Sequence, residues 1–420
     1  MSANKQIALV PDYYKRFVCV GAACEDTCCG NWQIRIDKAT YTKCRRLSSQ
    51  SELKPLIDQC IKRNRSNTDE ENYGKIILSG DAKCPLLSEE GWCRLQLLHG
   101  MEYLGNVCAT YPRQTIYLDG RMEKALTPAC PEAARLILLN PEIMTFEEIE
   151  EPINTRNLVI NNINTQGKSE RKKGGRVFWP LRIFTIEILQ NRDYTLSERL
   201  IIMGMFFQKV QGIIEKDEQG EVENLINVFT RWLKQGELKD ELAAVPVSLA
   251  IQMRVLRELV EERFHVLKNN NSHRAFFEQW KEGVGYTEEA QYTEEMQREE
   301  FTQRYKDAHD KYYLPFMAKH EYILENYLVN YVFLRHMPLG KYSTIFDEYL
   351  MLALHYAMIK MHLIGIAAYH RGLTIDLVVS FIQSFARNIE HDGIYLKWLS
   401  EMLRSNNYVS LAHVAIMLKN

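Results

Sequence analysis

The residues most able to do chemistry are cysteines. FVCVGAACEDTCCGNW, residues 17 to 32, places Cys19, Cys24, Cys28 and Cys29 within eleven positions. Cys44, Cys60, Cys84, Cys93, Cys108 and Cys130 follow, and the last 290 residues have none. Thiols that merely filled a core would not stop at residue 130. The opening MSANKQIALVPDYYKRF lacks the apolar stretch of a signal peptide, so a cytoplasmic, reducing location is expected. In that setting, clustered thiols point to metal binding or redox work before disulfides.

The spacing narrows the chemistry. The gaps are four, three and zero residues among the first four thiols, then eight from Cys84 to Cys93, 14 to Cys108 and 21 to Cys130. Zinc ribbons and knuckles use Cys-x2-Cys pairs, because that turn aims two thiolates at one tetrahedral ion, and no such pair occurs. His99 is the only histidine in the region. An all-thiolate site suits an iron–sulfur cluster or a four-cysteine zinc site. The radical pattern Cys-x3-Cys-x2-Cys is broken, because Asn31 stands where its third cysteine would be. Adjacent side chains on extended backbone face opposite ways. Either only one of Cys28 and Cys29 is therefore a ligand, or two centres share the module. A plainer reading keeps the metal as a staple for a thin core.

The elements that must position these thiols separate by composition. The chain has 420 residues, 46% hydrophobic and 25% charged, with net charge −2. This suits two or three domains and gives no reason to expect nucleic acid as a partner. The fold class expected is mainly α: a small Cys-rich metal-binding module with short strands over 1–140, a linker or surface segment over 141–178, and a large all-α domain over 179–420. WQIRID (32–37) alternates like a strand, and CPEAARLILLN (130–140) enters a helix through Pro131. PEIMTFEEIEEPINTRN and GKSERKKGGR read as solvated connection. Helical patterning covers 197–215, 222–235, 248–264, 319–338 and 374–403, and 287–305 reads as a strongly polar helix or a partly mobile segment. The apolar run 349–370 is interrupted by His355, Lys360 and His362, so it is expected as a buried helix and not a transmembrane segment.

The order of motifs carries a family resemblance. PDYYKRFVCVGAACEDTCC, WQIRIDKATY, CPLL…GWCRL, CATYPR and CPEAARLIL, and later ENYLVNYVFLRHMP and FARNIEHDGIYL, resemble the flagellin lysine-N-methylase family. The resemblance implies transfer of methyl groups from S-adenosylmethionine to lysine side chains of flagellin. It also implies an iron–sulfur cluster, 4Fe–4S in form, with zinc as the alternative, held among Cys19, Cys24, Cys28, Cys29, Cys84, Cys93, Cys108 and Cys130. Cys44 and Cys60 fall outside the pattern. The family tends toward Cys-Cys-x-Gly-Trp, whereas this chain has Cys28-Cys29-Gly30-Asn31-Trp32.

Lysine methylation sets chemical demands. An ε-amine with a pKa near 10.4 is neutral in about one molecule in 2,500 at pH 7, a cost of roughly 4.6 kcal/mol. A base or a desolvated site must supply the free amine. Asp26, Tyr111 and Glu132 near the cysteine motifs are the candidates for this role, and Arg113 and Arg135 for gripping the donor's carboxylate. Each has a plainer role as a turn cap, packing residue, helix-dipole partner or structural ion pair. Glu325, Asn326, Tyr327 and Tyr331 form a stripe suited to core packing or to a substrate groove. There is no Gly-x-Gly-x-x-Gly after a strand, so the common nucleotide-binding sheet is not expected. Two other readings compete: a non-enzymatic, metal-stapled adapter that docks a protein client, and a redox sensor built on the Cys28–Cys29 pair.

Overall fold

Eight strands occur among the described residues: β1 (Lys5–Pro11), β2 (Arg35–Ile36), β3 (Ile61–Arg63), β4 (Gly74–Ile76), β5 (Arg113–Leu118), β6 (Arg121–Leu126), β7 (Phe146–Pro152) and β8 (Val159–Ile163). The computed structural model describes residues 5–66, 69–153, 155–249, 252, 271–286, 295–406 and 408–419. The chain divides into two compact units, one of residues 1–136 and 145–163, the other of 137–144 and 164–420.

The first unit holds two sheets. The larger has the order β7-β1-β6-β5-β8, with β1 parallel to β6 and antiparallel to β7. Alternation in β1 buries Ala8 and Val10 and leaves Lys5 and Ile7 exposed. Asp119 and Gly120 join β5 to β6 with φ of 52° and 77°, the left-handed backbone that a two-residue hairpin turn requires. The smaller antiparallel sheet, β2-β4-β3, has its own core of Ile34, Ile36, Leu53, Ile57, Ile61, Ile76, Leu86, Leu95 and Leu104, with Cys44, Cys60 and Cys84 inside it.

The stretch expected as connection, 141–178, is instead largely structured. Its acidic run is strand β7, and a second strand, β8, follows. The physical reason is charge pairing across the sheet. Lys5 meets Glu150 at 2.6 Å, Lys15 meets Glu147 at 2.8 Å, and Lys124 pairs with Glu151. An alternating acidic strand beside basic neighbours is as solvated as a loop in composition but not in structure. GKSERKKGGR contributes the short helix Lys168–Lys172.

The second unit is helical. The 26-residue helix Ile345–His370 is long and apolar enough to cross a membrane, yet its most apolar window is fully buried inside this unit. Helices Leu196–Glu215, Asn271–Val284 and Leu411–Leu418 pack on it. Gly283, too isolated in the sequence to mark a nucleotide loop, is where two helices nearly touch: a Cβ there would meet the Gly365 carbonyl oxygen at 2.0 Å. The helix starts carry their caps. Thr195 and Glu198 form a capping box, and Thr344, Thr374, Asp392 and Ser410 each accept an amide of the first turn. The run expected over 374–403 is two helices, Ile375–Phe385 and Gly393–Ser405, separated by a π-turn at Ala386–Glu390. Most of the helix expected over 248–264, and the beginning of that over 287–305, lie outside the described residues. The later part of the second is the helix Glu295–Ala308.

Several charged and polar side chains buried here are paired. Glu325, 1% exposed, accepts from Arg192 at 2.8 Å and from Arg199 at 2.7 Å. The Tyr327 hydroxyl donates to Glu390 at 2.6 Å, and Arg335 donates to the other oxygen of Glu390 at 3.3 Å. The motifs ENYLVNYVFLRHMP and FARNIEHDGIYL are thus joined to each other, and Asn326 donates to the Asn140 carbonyl at 2.7 Å. The stripe of Glu325, Asn326, Tyr327 and Tyr331 is core.

Candidate functional site

The thiols of the first unit are seated by short loops between its strands. The Cys29 carbonyl accepts the Cys84 amide at 2.7 Å, and Gly30 bridges to Lys83. A Cβ on Gly30 would meet the Ala82 carbonyl oxygen at 2.7 Å, so this position must be glycine for the two loops to close up. The next residue, Asn31, has φ of 63°. Asparagine is among the few side chains that tolerate the left-handed region. It thus stands, without gross strain, where the family tends to have glycine. Leu87 bridges to Cys93, which opens the helix Arg94–His99. Cys108 lies on the helix Asn106–Thr110, whose start is tied down by Asp37: one carboxylate oxygen accepts from Asn106 at 3.0 Å and the other from Thr40 at 2.8 Å.

The electrostatics of the thiols show who neighbours whom. Burial pushes Cys84 up to about 12, with the charges of Cys29, Cys93 and Cys60 adding to it. Burial also raises Cys93, reinforced by Cys29. Cys108 keeps an exposed face, but dense surroundings raise it too, reinforced by Cys29, Cys84 and Cys93. At the other end, burial pushes Cys130 up to about 11, with Cys24 and Cys19 contributing. Burial raises Cys24 as well, and the charges of Glu25 and Cys19 add to it. Backbone amides aim at four of these sulfurs: Asp26 at Cys24, Leu86 at Cys84, Gln96 and Leu95 at Cys93, and Ala133 and Glu132 at Cys130. Such N–H···S bonds stabilise thiolates and tune thiolate-bound clusters.

Cys28 and Cys29 do not face apart as extended backbone would make them. The chain bends there, and the Cys28 thiol donates to Cys29, which raises Cys28 and lowers Cys29. Among the described residues, no three His, Cys, Asp or Glu side chains are grouped as ligands of a single ion. These thiols have no histidine among them, and an all-thiolate donor set is the chemistry that an iron–sulfur cluster takes. Cys44 and Cys60 sit in the apolar core, 0% and 3% exposed.

Beside the thiols lies a cavity of about 570 Å³, a size suited to a small organic ligand. Ala109 and Thr110, the residues after Cys108, form part of its wall, together with Tyr14, Met101, Glu102, Arg113, Thr115, Lys124, Glu151, Thr155, Arg156 and Asn157. Arg113 donates to the Phe17 carbonyl at 3.1 Å and lies 4.8 Å from the Phe17 ring centre. Arg156 donates to the Leu104 carbonyl at 2.6 Å. Burial lowers the Lys124 pKa, opposed by its bond to Glu151. Burial pushes Tyr14 up to about 12, so its hydroxyl stays protonated at neutral pH.

Of the candidate residues, Arg113 lines this cavity. Arg135 pairs with Glu25 and, at 3.2 Å, with Glu132, which puts all three near Cys24 and Cys130. Asp26 belongs to the Cys24 turn through its amide. The Tyr111 ring stands 6.3 Å from that of Trp32. Sequence reasoning missed Tyr14, Lys124, Glu151 and Arg156. A lysine inside the otherwise inward-facing strand RMEKAL was the available signal, since a buried cation demands a carboxylate nearby.

The family model described as "FliB lysine N-methylase C-terminal domain" matches residues 182–417, more than half of the chain. The chain belongs to the FliB lysine N-methylase family. It is 28% identical over 259 residues to a lysine-N-methylase of Salmonella typhimurium strain LT2, covering 58% of this chain and 59% of that protein. It is 34% identical over 143 residues to a flagellar biosynthetic protein FliU of Salmonella muenchen, covering 33% of this chain and 80% of that protein. The alignment to the lysine-N-methylase thus spans somewhat over half of that relative's length. No solved structure matches. The family-model match lies within the second unit, whereas the thiols and the cavity lie in the first.

Proposed function

We propose that this family member methylates lysine side chains of flagellin with S-adenosylmethionine, that the cavity beside the Cys108 helix binds the donor, and that the first unit holds an iron–sulfur cluster on its thiols. The observation that carries the reading is a ligand-sized cavity whose wall is shared by Arg113 and the thiol-bearing helix. Arg113 faces the donor's carboxylate with the N–H groups not spent on Phe17 and Tyr14. Three cations, Arg113, Lys124 and Arg156, outnumber the carboxylates of Glu102 and Glu151 on the cavity wall. A net positive wall disfavours an ammonium ion and so lowers the pKa of a lysine brought there. The neutral amine's lone pair attacks the methyl carbon in line with the sulfonium. The carbon–sulfur bond breaks, S-adenosylhomocysteine leaves, and the proton lost from the ammonium beforehand goes to solvent. When bound, the cluster would supply iron able to ligate the donor's amino and carboxylate groups. Reduced thiols suit the cytoplasm.

The test is anaerobic incubation of the purified full chain with labelled S-adenosylmethionine and flagellin, followed by mass mapping. Methylated flagellin lysines support the reading. Iron-loaded protein that leaves flagellin unlabelled overturns it. Colourless protein with stoichiometric zinc and no transfer would favour the adapter instead.

A further inference from the structure

We propose that the surface around the cavity mouth docks the protein segment that carries the target lysine, gripping apolar side chains on either side of that lysine. This rests on reading the cavity as the place of methyl transfer. Two stretches of chain frame the mouth. One is the helix Arg94–His99 with the turn Met101–Tyr103; the other leads from the end of β7 into β8. Met101 and Glu102 of the first and Thr155, Arg156 and Asn157 of the second line the cavity. Arg156 holds the two together, donating to the carbonyls of Met101 at 3.4 Å and Leu104 at 2.6 Å.

Both stretches turn large apolar side chains to solvent. Leu97, Leu98 and Met101 are 63%, 49% and 55% exposed, and Ile153 and Val159 are 60% and 45% exposed. Val159 is the outer member of a row across the larger sheet. It pairs with Thr115, which pairs with Lys124, and both of those line the cavity. Directly paired residues project to one face of a sheet, so Val159 stands on the cavity's side. One exposed leucine needs no explanation, but several apolar side chains gathered about one opening mark an interaction surface.

The charge of the wall says what binds there. Arg113, Lys124 and Arg156 repel the very ammonium that has to enter, so attraction must come from the rest of the segment. Apolar contact is indifferent to that charge and supplies it. Against the carboxylate of Glu102, the rim carries exposed Arg156 and Lys43, whose ammonium lies 3.2 Å from the Glu102 carbonyl oxygen. Carboxylates of the incoming segment are attracted to that rim. Among the described residues β8 is the last strand of its sheet, and residues 159–162 are exposed, which leaves an edge for an extended segment to lie along. The occupant is thus an extended stretch of the substrate protein whose lysine has apolar and acidic neighbours.

The experiment separates docking from chemistry. The double variant Leu97→Ser/Leu98→Ser, the variant Val159→Ser and a control, Ile394→Ser, are made in the full chain; the control removes an exposed apolar side chain of the second unit. KM and kcat for flagellin are measured with S-adenosylmethionine, donor affinity is measured without flagellin, and circular dichroism confirms folding. We expect KM to rise about tenfold in the double variant and about threefold in Val159→Ser, with kcat and donor affinity within about twofold and Ile394→Ser unchanged. A short peptide with its lysine between leucine and glutamate should compete with flagellin; one with glycine and serine there should not. Equal competition by the two peptides, or KM within about twofold in both folded mouth variants, overturns the inference, while methyl transfer by the unaltered chain keeps the reading of the cavity. Kcat and donor affinity falling together with the rise in KM also overturns it, since these side chains then shape the cavity and do not dock. So does an unaltered chain that is dimeric by light scattering and made monomeric by the double variant, because a second copy then covers the surface. An unaltered chain that transfers nothing to flagellin overturns the reading and the inference together. If the double variant does not fold, Val159→Ser and the peptides decide.

Discussion

Replacing Arg113 tests the donor cavity most directly. Its guanidinium carries five N–H donors in a planar fork, and one of them is spent on the Phe17 carbonyl at 3.1 Å. Tyr14 engages it as well, and the N–H groups held by neither are those offered to a carboxylate. A hydrogen bond to a charged group contributes about 1.5–3 kcal/mol. Each 1.4 kcal/mol is tenfold in affinity, so Arg113→Ala should weaken S-adenosylmethionine binding roughly 10- to 150-fold. Arg113→Lys keeps the charge but loses the fork, and should fall between. The assay is isothermal titration of the full chain with donor and no flagellin, so binding is read without turnover. Because Arg113 also steadies the backbone before Cys19, iron content and circular dichroism are checked in each variant. A donor analogue lacking the carboxylate gives the decisive comparison: it should bind the unaltered chain weakly and lose little more in Arg113→Ala, because both changes remove one interaction. Donor affinity within twofold of the unaltered chain, in a folded Arg113→Ala with its metal intact, refutes the assignment.

Further outcomes follow from the buried groups. Glu325→Gln leaves the buried Arg199 without its closest carboxylate, with Glu321 at 3.3 Å remaining, and should cost about 3 kcal/mol in denaturant titration. Asp37→Ala removes the cap of two helices at once and should cost about 2 kcal/mol, read as a lower melting temperature. Lys360 is buried, donates to the Leu418 carbonyl at 3.0 Å, and has its pKa lowered to about 8 by burial, with the charge of Glu321 opposing. Its folded pKa lies below the unfolded one, so the folded state releases the proton first, and stability should rise between about pH 8 and 10.5. Lys360→Met should flatten that rise in unfolding curves taken across pH. Burial pushes Glu348 up to about 7, so its contribution runs the other way: stability should fall as pH climbs from about 4.5 to 7, and Glu348→Gln should remove the fall.

The helical half was legible because periodicity and caps agree. Residues 222–235 form a helix with the expected ends, since apolar positions recur every three to four residues and Gly236 adopts φ of 72° just past the last turn. The apolar run 349–370 was legible as interior because its His and Lys positions argued against lipid. The larger sheet was hidden. Its strands come from residues 5–11, 113–126, 146–152 and 159–163, and pairing across more than a hundred residues leaves no local mark. FEEIEEP looked like a loop because its charges, not apolar side chains, face its neighbours. The thiols were legible by count and position. Their arrangement was not, because it depends on the bend at Cys28–Cys29 and on amides that reach sulfur from two residues along the chain. The cavity was invisible for a similar reason: Tyr14, Arg113, Lys124 and Glu151 lie on four separated segments.

The placing of β1 between β6 and β7 has a bearing on biosynthesis. Cys130, the last thiol, is translated before any part of β7, which begins at Phe146. At roughly 5–20 residues per second, a ribosome takes about 1–4 s to go from Cys130 to Pro152. Throughout that interval every cysteine has been made, while the strand at the start of the chain still lacks its antiparallel neighbour.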